Sequence, residues 1–164
     1  MKVVLFANTE WYLYNFRRSL AFALREAGHE VLLLSPPGPY GEKLRSLGFR
    51  WLPAPMERRS LNPLRELALV NWLRGLIREE QVDLVHGFTI KCAVYGSLAA
   101  HLAGVPARVN AVAGMGYVFS SNDLKARALR PVVRAMMHVA LGGRSARLVL
   151  QNPDDVAFFQ RARV

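Results

Sequence analysis

Along this chain, short unbroken apolar runs alternate with longer stretches in which apolar side chains recur every three or four residues. The runs KVVLFA (2–7), EVLLLS (30–35), RWLPA (50–54), DLVHGF (83–88), RVNAVA (108–113) and RLVLQ (147–151) predict strands. Between them the longer spacing predicts helices over about residues 15–27, 40–47, 63–80, 90–103, 123–141 and 153–160. In the first of these, Phe16, Leu20, Ala23, Leu24 and Ala27 form the inner face, and Arg17, Arg18, Arg25 and Glu26 fall mainly on the other. Gly28 supplies a left-handed residue that ends it. The strands VVLF and VLLL are continuously apolar rather than alternating, so helices must cover both sheet faces. Strand–helix alternation with right-handed crossovers then predicts an α/β chain. It is a Rossmann-like, doubly wound parallel sheet in three αβα layers, order 3-2-1-4-5-6, forming one domain over residues 1–164.

Ligands of such sheets bind beyond the carboxyl ends of the strands, where strand order reverses. That rule selects ANTEWYLYN after the first strand, HGFTIKC after the fourth, AGMGYVF after the fifth and QNPDD after the sixth. The first loop has neither G-x-G-x-x-G nor G-x-x-x-x-G-K-S/T, which argues against a dinucleotide dehydrogenase or a P-loop nucleotidase. It offers instead Asn8, Thr9, Glu10, Trp11, Tyr12, Tyr14 and Asn15, a platform for a sugar or prenyl-phosphate head, with Arg17 set to meet a phosphate. The local alternative makes Asn15 an N-cap, packs Trp11 or Tyr14 on the helix and leaves Arg17 in solvent. In the fourth loop His86 arrives at the strand's carboxyl end as a candidate general base or orienting group, and Thr89 and Lys91 flank a helix start suited to an anion. A structural histidine is the competing reading. His29, His101 and His138 are read as structural. Gly114 and Gly116 let the fifth loop lie low against a ligand, with Tyr117 and Phe119 packing it in place.

Charge and cysteine narrow the partners. A net charge of +10 favours phosphate-bearing ligands or an anionic membrane surface over acidic protein targets. The single Cys92 excludes an internal disulfide, lacks the neighbours of a zinc site and fits a cytoplasmic setting. Asp83, Asp123, Asp154 and Asp155 form no recognisable ligand set, so no metal is expected. The opening apolar run of five residues is too short for a signal peptide or a membrane span.

The stretches NTEWYLYNFRRSLAFALREAGHEVLLLSP, DLVHGFTIKCAVYGSLAAHLAGVP, VNAVAGMGYVF and LVLQNPDDVAFF together resemble the amino-terminal half of family 4 glycosyltransferases, retaining enzymes with two Rossmann-like domains (the GT-B fold). The similar branch acts on lipid-linked sugars in capsule, O-antigen (lipopolysaccharide) and N-glycan assembly. The resemblance implies an acceptor-binding half, with Asn8, Glu10, Trp11, Tyr14, Arg17, Thr89, Lys91, Gly114, Gly116 and Tyr117 on the acceptor side and His86 as the catalytic candidate. Gln151 and Asn152 would border the interdomain cleft. The donor, a UDP- or GDP-sugar, would be held by a second domain whose pattern this sequence does not contain, so the chain is expected to be a fragment inactive by itself, with no cofactor of its own. Two departures from the family matter. Many relatives carry a Gly-Gly pair in the first loop, here Asn-Thr-Glu-Trp, and a His in the fifth, here Ala113-Gly114-Met115-Gly116.

The expected partners are a glycan or polyprenyl-linked sugar acceptor and the missing donor domain, with peripheral contact to the inner face of the membrane. Residues 124–147 mix Lys and Arg with Leu129, Val132, Val133, Met136, Met137 and Val139, which suits a membrane-surface helix but suits an ordinary core helix better. The loop MERRSLNPLR is an equal candidate for membrane contact. The competing class is a basic Rossmann-like module for nucleic acid or membrane without catalysis. Specific nucleic-acid binding is disfavoured, because the aromatics cluster in one loop and the sheet faces are covered. A third option is dimerisation through the Met-rich helix.

Overall fold

The computed structural model describes residues 1–60, 62–112 and 123–162. Its strands are β1 (Lys2–Phe6), β2 (Glu30–Ser35), β3 (Arg50–Pro53), β4 (Leu84–Phe88), β5 (Ala107–Val112) and β6 (Ala146–Leu150). All neighbours pair in parallel in the order β3-β2-β1-β4-β5-β6, as the alternation of runs predicts. The helices are α1 (Glu10–Tyr12), a π-helical turn (Leu13–Arg17), α2 (Arg18–Glu26), α3 (Gly41–Ser46), α4 (Pro63–Glu79), α5 (Ile90–Ala103), α6 (Leu124–Leu141) and α7 (Pro153–Ala162).

Successive residues of β1 enter different cores, which is why its run is unbroken. Val3 and Leu5 pack with Val31, Leu33, Leu13, Ala21 and Leu44 on one face. Val4 and Phe6 pack with Leu32, Leu34 and Val85 against Leu69, Leu73 and Ile77 of α4 on the other. Helix α6 buries Met137, Ala140 and Leu141 against Val112 and Phe159 and exposes Val132 and Val139, so it is a core helix with a mixed outer face. Pro131 lies inside it.

The amino edge of the sheet is tied by Glu80. Its carboxylate accepts two hydrogen bonds from Arg50 at 2.7 and 2.6 Å and one from Lys2 at 3.1 Å. The hydrogen bonds from Arg50 and then Lys2 hold this carboxyl down at about 2. The start of β1, the start of β3 and the end of α4 are thereby clamped together.

The first helix begins earlier than its periodicity predicts. Thr9, not Asn15, is the N-cap: its Oγ1 accepts the Tyr12 N–H at 3.1 Å, and Asn15 instead donates back to the Trp11 carbonyl at 2.9 Å. A polar stretch reads as loop from composition, but one capping hydroxyl is enough to start a helix there. The extra residue of the π-helical turn then sets the side chains that follow, including Arg17. Gly28 ends α2 at φ +79° as expected.

Candidate functional site

β1 and β4 are adjacent and run into their loops side by side, Leu5 level with His86 and Phe6 with Gly87. The crevice of a doubly wound sheet opens at this point. Gly87 is the pivot of the site: a Cβ there would stand 2.6 Å from Ala93 Cα and 2.9 Å from Asn110 Oδ1, so α5 crosses the strand at backbone contact. Behind it the buried Asn110 carboxamide and Ser97 hydroxyl hydrogen-bond at 2.7 Å, joining β5 to α5.

Leaving β4, the chain passes through Thr89 at φ 69° and ψ 155°. That region is essentially reserved for glycine, and a β-branched residue in it costs on the order of 1–3 kcal/mol. The Thr89 N–H donates to the Ala111 carbonyl at 3.1 Å and its carbonyl accepts Ala93 N–H at 2.9 Å, so β5 and α5 enforce the strain.

His86 and Phe88, two apart on one strand, share a sheet face, and their rings stack at 4.2 Å. Arg17 reaches the same place from the π-helical turn. Its guanidinium carbon lies 4.7 Å from the Phe88 centroid and 5.1 Å from that of Tyr12, and its Nη2 donates to the Tyr12 hydroxyl at 2.6 Å. Arg17 is therefore not in solvent, and among the described residues it has no carboxylate partner. Two buried polar atoms in this cluster lack partners, Arg17 Nε and His86 Nε2; the Thr89 hydroxyl lies instead beside the Cys92 thiol, which packs in the core on the other sheet face. Buried polar groups left unpaired cost stability unless something else satisfies them. Arg17, Tyr12, His86 and Phe88 thus form one cationic and aromatic cluster.

Burial, and secondarily the Arg17 charge, lower His86 from 6.5 to about 4. Its imidazole is thus neutral at physiological pH, with Nε2 buried and without a hydrogen-bond partner among the described residues. Between pH 6.5 and 4 the unfolded chain binds the extra proton, so His86 makes stability fall as pH drops through that window. A ring-nitrogen NMR titration should find His86 still neutral at about pH 5.5; a midpoint at or above 6.5 would overturn this environment.

The remaining predicted residues divide. Asn8 is half-buried at the end of β1, with no hydrogen bond to its carboxamide among the described residues. Trp11 is exposed and meets Phe16 edge-on at 5.3 Å. Glu10 is buried, its carboxylate packed where a Cβ on Gly38 would overlap it, so it anchors the loop after β2. Tyr14 joins Tyr40 at 5.3 Å, with Lys43 over the Tyr40 ring. Lys91 is not free for an anion. It donates to Glu66 Oε1 at 2.8 Å and to the carbonyls of Glu57 and Ser60 at 2.7 and 3.1 Å, using all three ammonium protons. The reason is tertiary, since α4 brings Glu66 across from 25 residues away. Asn152 caps α7, accepting the Asp155 N–H at 2.7 Å and donating to its carboxylate at 2.8 Å, while Gln151 is exposed. Gly114, Gly116 and Tyr117 lie outside the described residues. Phe88, which with Tyr12 seats Arg17, was not among the residues the sequence singles out; its signal is the two-residue spacing from His86.

Cys92 is fully buried, its thiol pushed up to about 12 by desolvation and 3.9 Å from Met56 Sδ, so it is no nucleophile. Among the described residues no cluster of three or more His, Cys, Asp or Glu could hold a metal ion. No helix among them is long and apolar enough to cross a membrane.

The family profile described as glycosyl transferase 4-like matches residues 2–152. The chain belongs to the glycosyl transferase 4-like family. Within and around this family, the chain is 30% identical over 124 residues to the N,N'-diacetylbacillosaminyl-diphospho-undecaprenol alpha-1,3-N-acetylgalactosaminyltransferase of Campylobacter jejuni, a match covering 76% of this chain and 33% of that protein. The chain thus spans about a third of the length of this curated relative. Among solved structures it resembles MurG of Acinetobacter baumannii, with a TM-score of 0.61, 20% identity and coverage of 93% of this chain and 42% of that one. It also resembles the UDP-GlcNAc 2-epimerase of Methanocaldococcus jannaschii, with a TM-score of 0.66, 12% identity and coverage of 100% and 43%. At such identities these likenesses carry the GT-B half-fold and not a reaction.

Proposed function

We propose that this chain is the acceptor-binding half of a retaining glycosyltransferase that moves a sugar from a nucleotide-sugar to a lipid-linked glycan acceptor. The observation that carries the reading is the pair of unpaired buried atoms on Arg17 and His86 beside Phe88, near the carboxyl ends of β1 and β4. Arg17, stacked on two rings and lacking a carboxylate, suits an acceptor diphosphate. Neutral His86 suits the attacking sugar hydroxyl, which it orients through Nε2. Asn8 and Trp11, with the segment holding Gly114, Gly116 and Tyr117, complete the acceptor side. The lipid-linked acceptor is supported by the Campylobacter relative, whose name specifies a diphospho-undecaprenol sugar. A UDP- or GDP-sugar donor would be held by a second domain across the cleft bordered by Gln151 and Asn152, and sugar transfer would require both.

Hydrogen exchange with a short-chain prenyl-diphosphate sugar in detergent tests this reading. Protection is expected in residues 8–17 and 86–91, with none from prenyl alcohol alone. Equal protection by arbitrary nucleic acid would favour a general basic binding module instead.

A further inference from the structure

The apolar spacing of the first helix places Phe16 on its inner face, yet in the structure Phe16 is 54% exposed, and Trp11 beside it is 46% exposed. Among the described residues no other Phe or Trp is exposed. The π-helical turn Leu13–Arg17 accounts for the difference. Its extra residue shifts the face that meets the sheet, so that Leu13 is buried and Phe16 turns to solvent. Single π-helical turns of this kind recur at functional sites.

The exposed pair is one end of a line of rings. Trp11 meets Phe16 edge-on at 5.3 Å, Phe16 meets Tyr12 at 5.4 Å, Tyr12 meets Phe88 at 6.0 Å and Phe88 meets His86 at 4.2 Å. Arg17 stands at the middle, its guanidinium carbon 5.1 Å from the Tyr12 centroid and 4.7 Å from that of Phe88. The order along the line is thus a buried imidazole, a guanidinium and an exposed apolar pair.

A prenyl-linked sugar carries matching groups in the same order: sugar hydroxyls, a diphosphate and an apolar chain. With the diphosphate on Arg17 and the sugar towards His86, the first prenyl carbons fall on the exposed pair. A sugar ring on Trp11 and Phe16 would reverse the order and send the prenyl chain towards His86, at the buried end of the line. We infer that Trp11 and Phe16 form a shelf for the first isoprene units of the acceptor, directly beside its diphosphate. Rigid aromatic side chains suit this task, because they cover a large apolar area at little cost in side-chain freedom. This placement rests on the acceptor reading above, which supplies the diphosphate and the chain.

Calorimetry of the 164-residue chain with geranyl diphosphate and with methyl diphosphate, in buffer without detergent, tests the shelf without a sugar. Geranyl diphosphate should bind at least about 20-fold more tightly, the gain expected for covering part of a short isoprenoid chain. Trp11→Ala with Phe16→Ala should bring the two ligands within about twofold of each other. Trp11→Ala alone, which leaves Phe16 on Tyr12, should lower the preference at least about threefold, and it carries the test if circular dichroism shows the double variant unfolded. Arg17→Ala should weaken both ligands by a similar factor and so keep the preference. Val132→Ala with Val139→Ala, an exposed apolar pair on α6, should also keep it. Equal binding of the two ligands by the wild type, a preference retained without Trp11 and Phe16, or a loss shared by the α6 pair would each overturn the shelf. Equal binding would leave the diphosphate contact of Arg17 standing, whereas failure of both ligands to bind would remove that contact and the shelf together.

Discussion

Gly87→Val should cost at least about 3 kcal/mol of folding stability, seen as a lowered urea midpoint. A side chain at this position meets backbone, Ala93 Cα at 2.6 Å, and not the yielding end of a flexible group. To admit it, α5 must lift from β4, losing the apolar contacts of Cys92, Ala99 and Ala100 and stretching the Asn110–Ser97 hydrogen bond. Gly96 is the control. A Cβ there would lie 3.2 Å from Phe6 Cδ1, a side-chain contact that can give, so Gly96→Ala should cost only about 1 kcal/mol. Equal, small losses for both substitutions would refute the close crossing. Because Gly87 separates His86 from Phe88, a partly folded Gly87→Ala variant should also lose the depressed His86 titration.

Arg17→Ala should weaken binding of a prenyl-diphosphate sugar by about 50-fold in calorimetry, from the loss of charge-assisted hydrogen bonds to phosphate. Arg17→Lys should recover little of this. An ammonium keeps the charge but neither lies flat on the Phe88 and Tyr12 rings nor offers a planar fork to a diphosphate. Folding stability should change by less than about 1 kcal/mol, since Arg17 makes no ion pair among the described residues. Undiminished affinity in Arg17→Ala would remove Arg17 from the acceptor site, and full rescue by lysine would leave it only a nonspecific charge.

Much of the frame was readable before any coordinates. The unbroken runs of β1 and β2 declared strands covered on both faces, and strand–helix alternation led to the order 3-2-1-4-5-6. Gly28 marked the end of α2, whereas His86, expected at the strand's carboxyl end, is the third of the five residues of β4. The features read correctly depend on local spacing and on general rules of chirality and burial, which a one-dimensional pattern contains.

What the pattern did not contain was pairing across distance. Thr9 starts the first helix, and the π-helical turn after it aims Arg17 at a ring on another strand. Lys91, read as an anion ligand, is consumed by Glu66 and two carbonyls brought over by α4. Apolar periodicity tells only in part which side of a helix is buried: of the face expected in the first helix, Phe16, Ala23 and Ala27 are exposed, and the buried residue of α2 is Ala21. It does not tell whether a given polar atom is already bonded, because that depends on one partner at about 3 Å from a distant part of the chain. The sequence therefore determined the strands and their order. Only tertiary structure decided which polar atoms near the carboxyl ends of the strands are already bonded: the Lys91 ammonium is, and Arg17 Nε and His86 Nε2 are not.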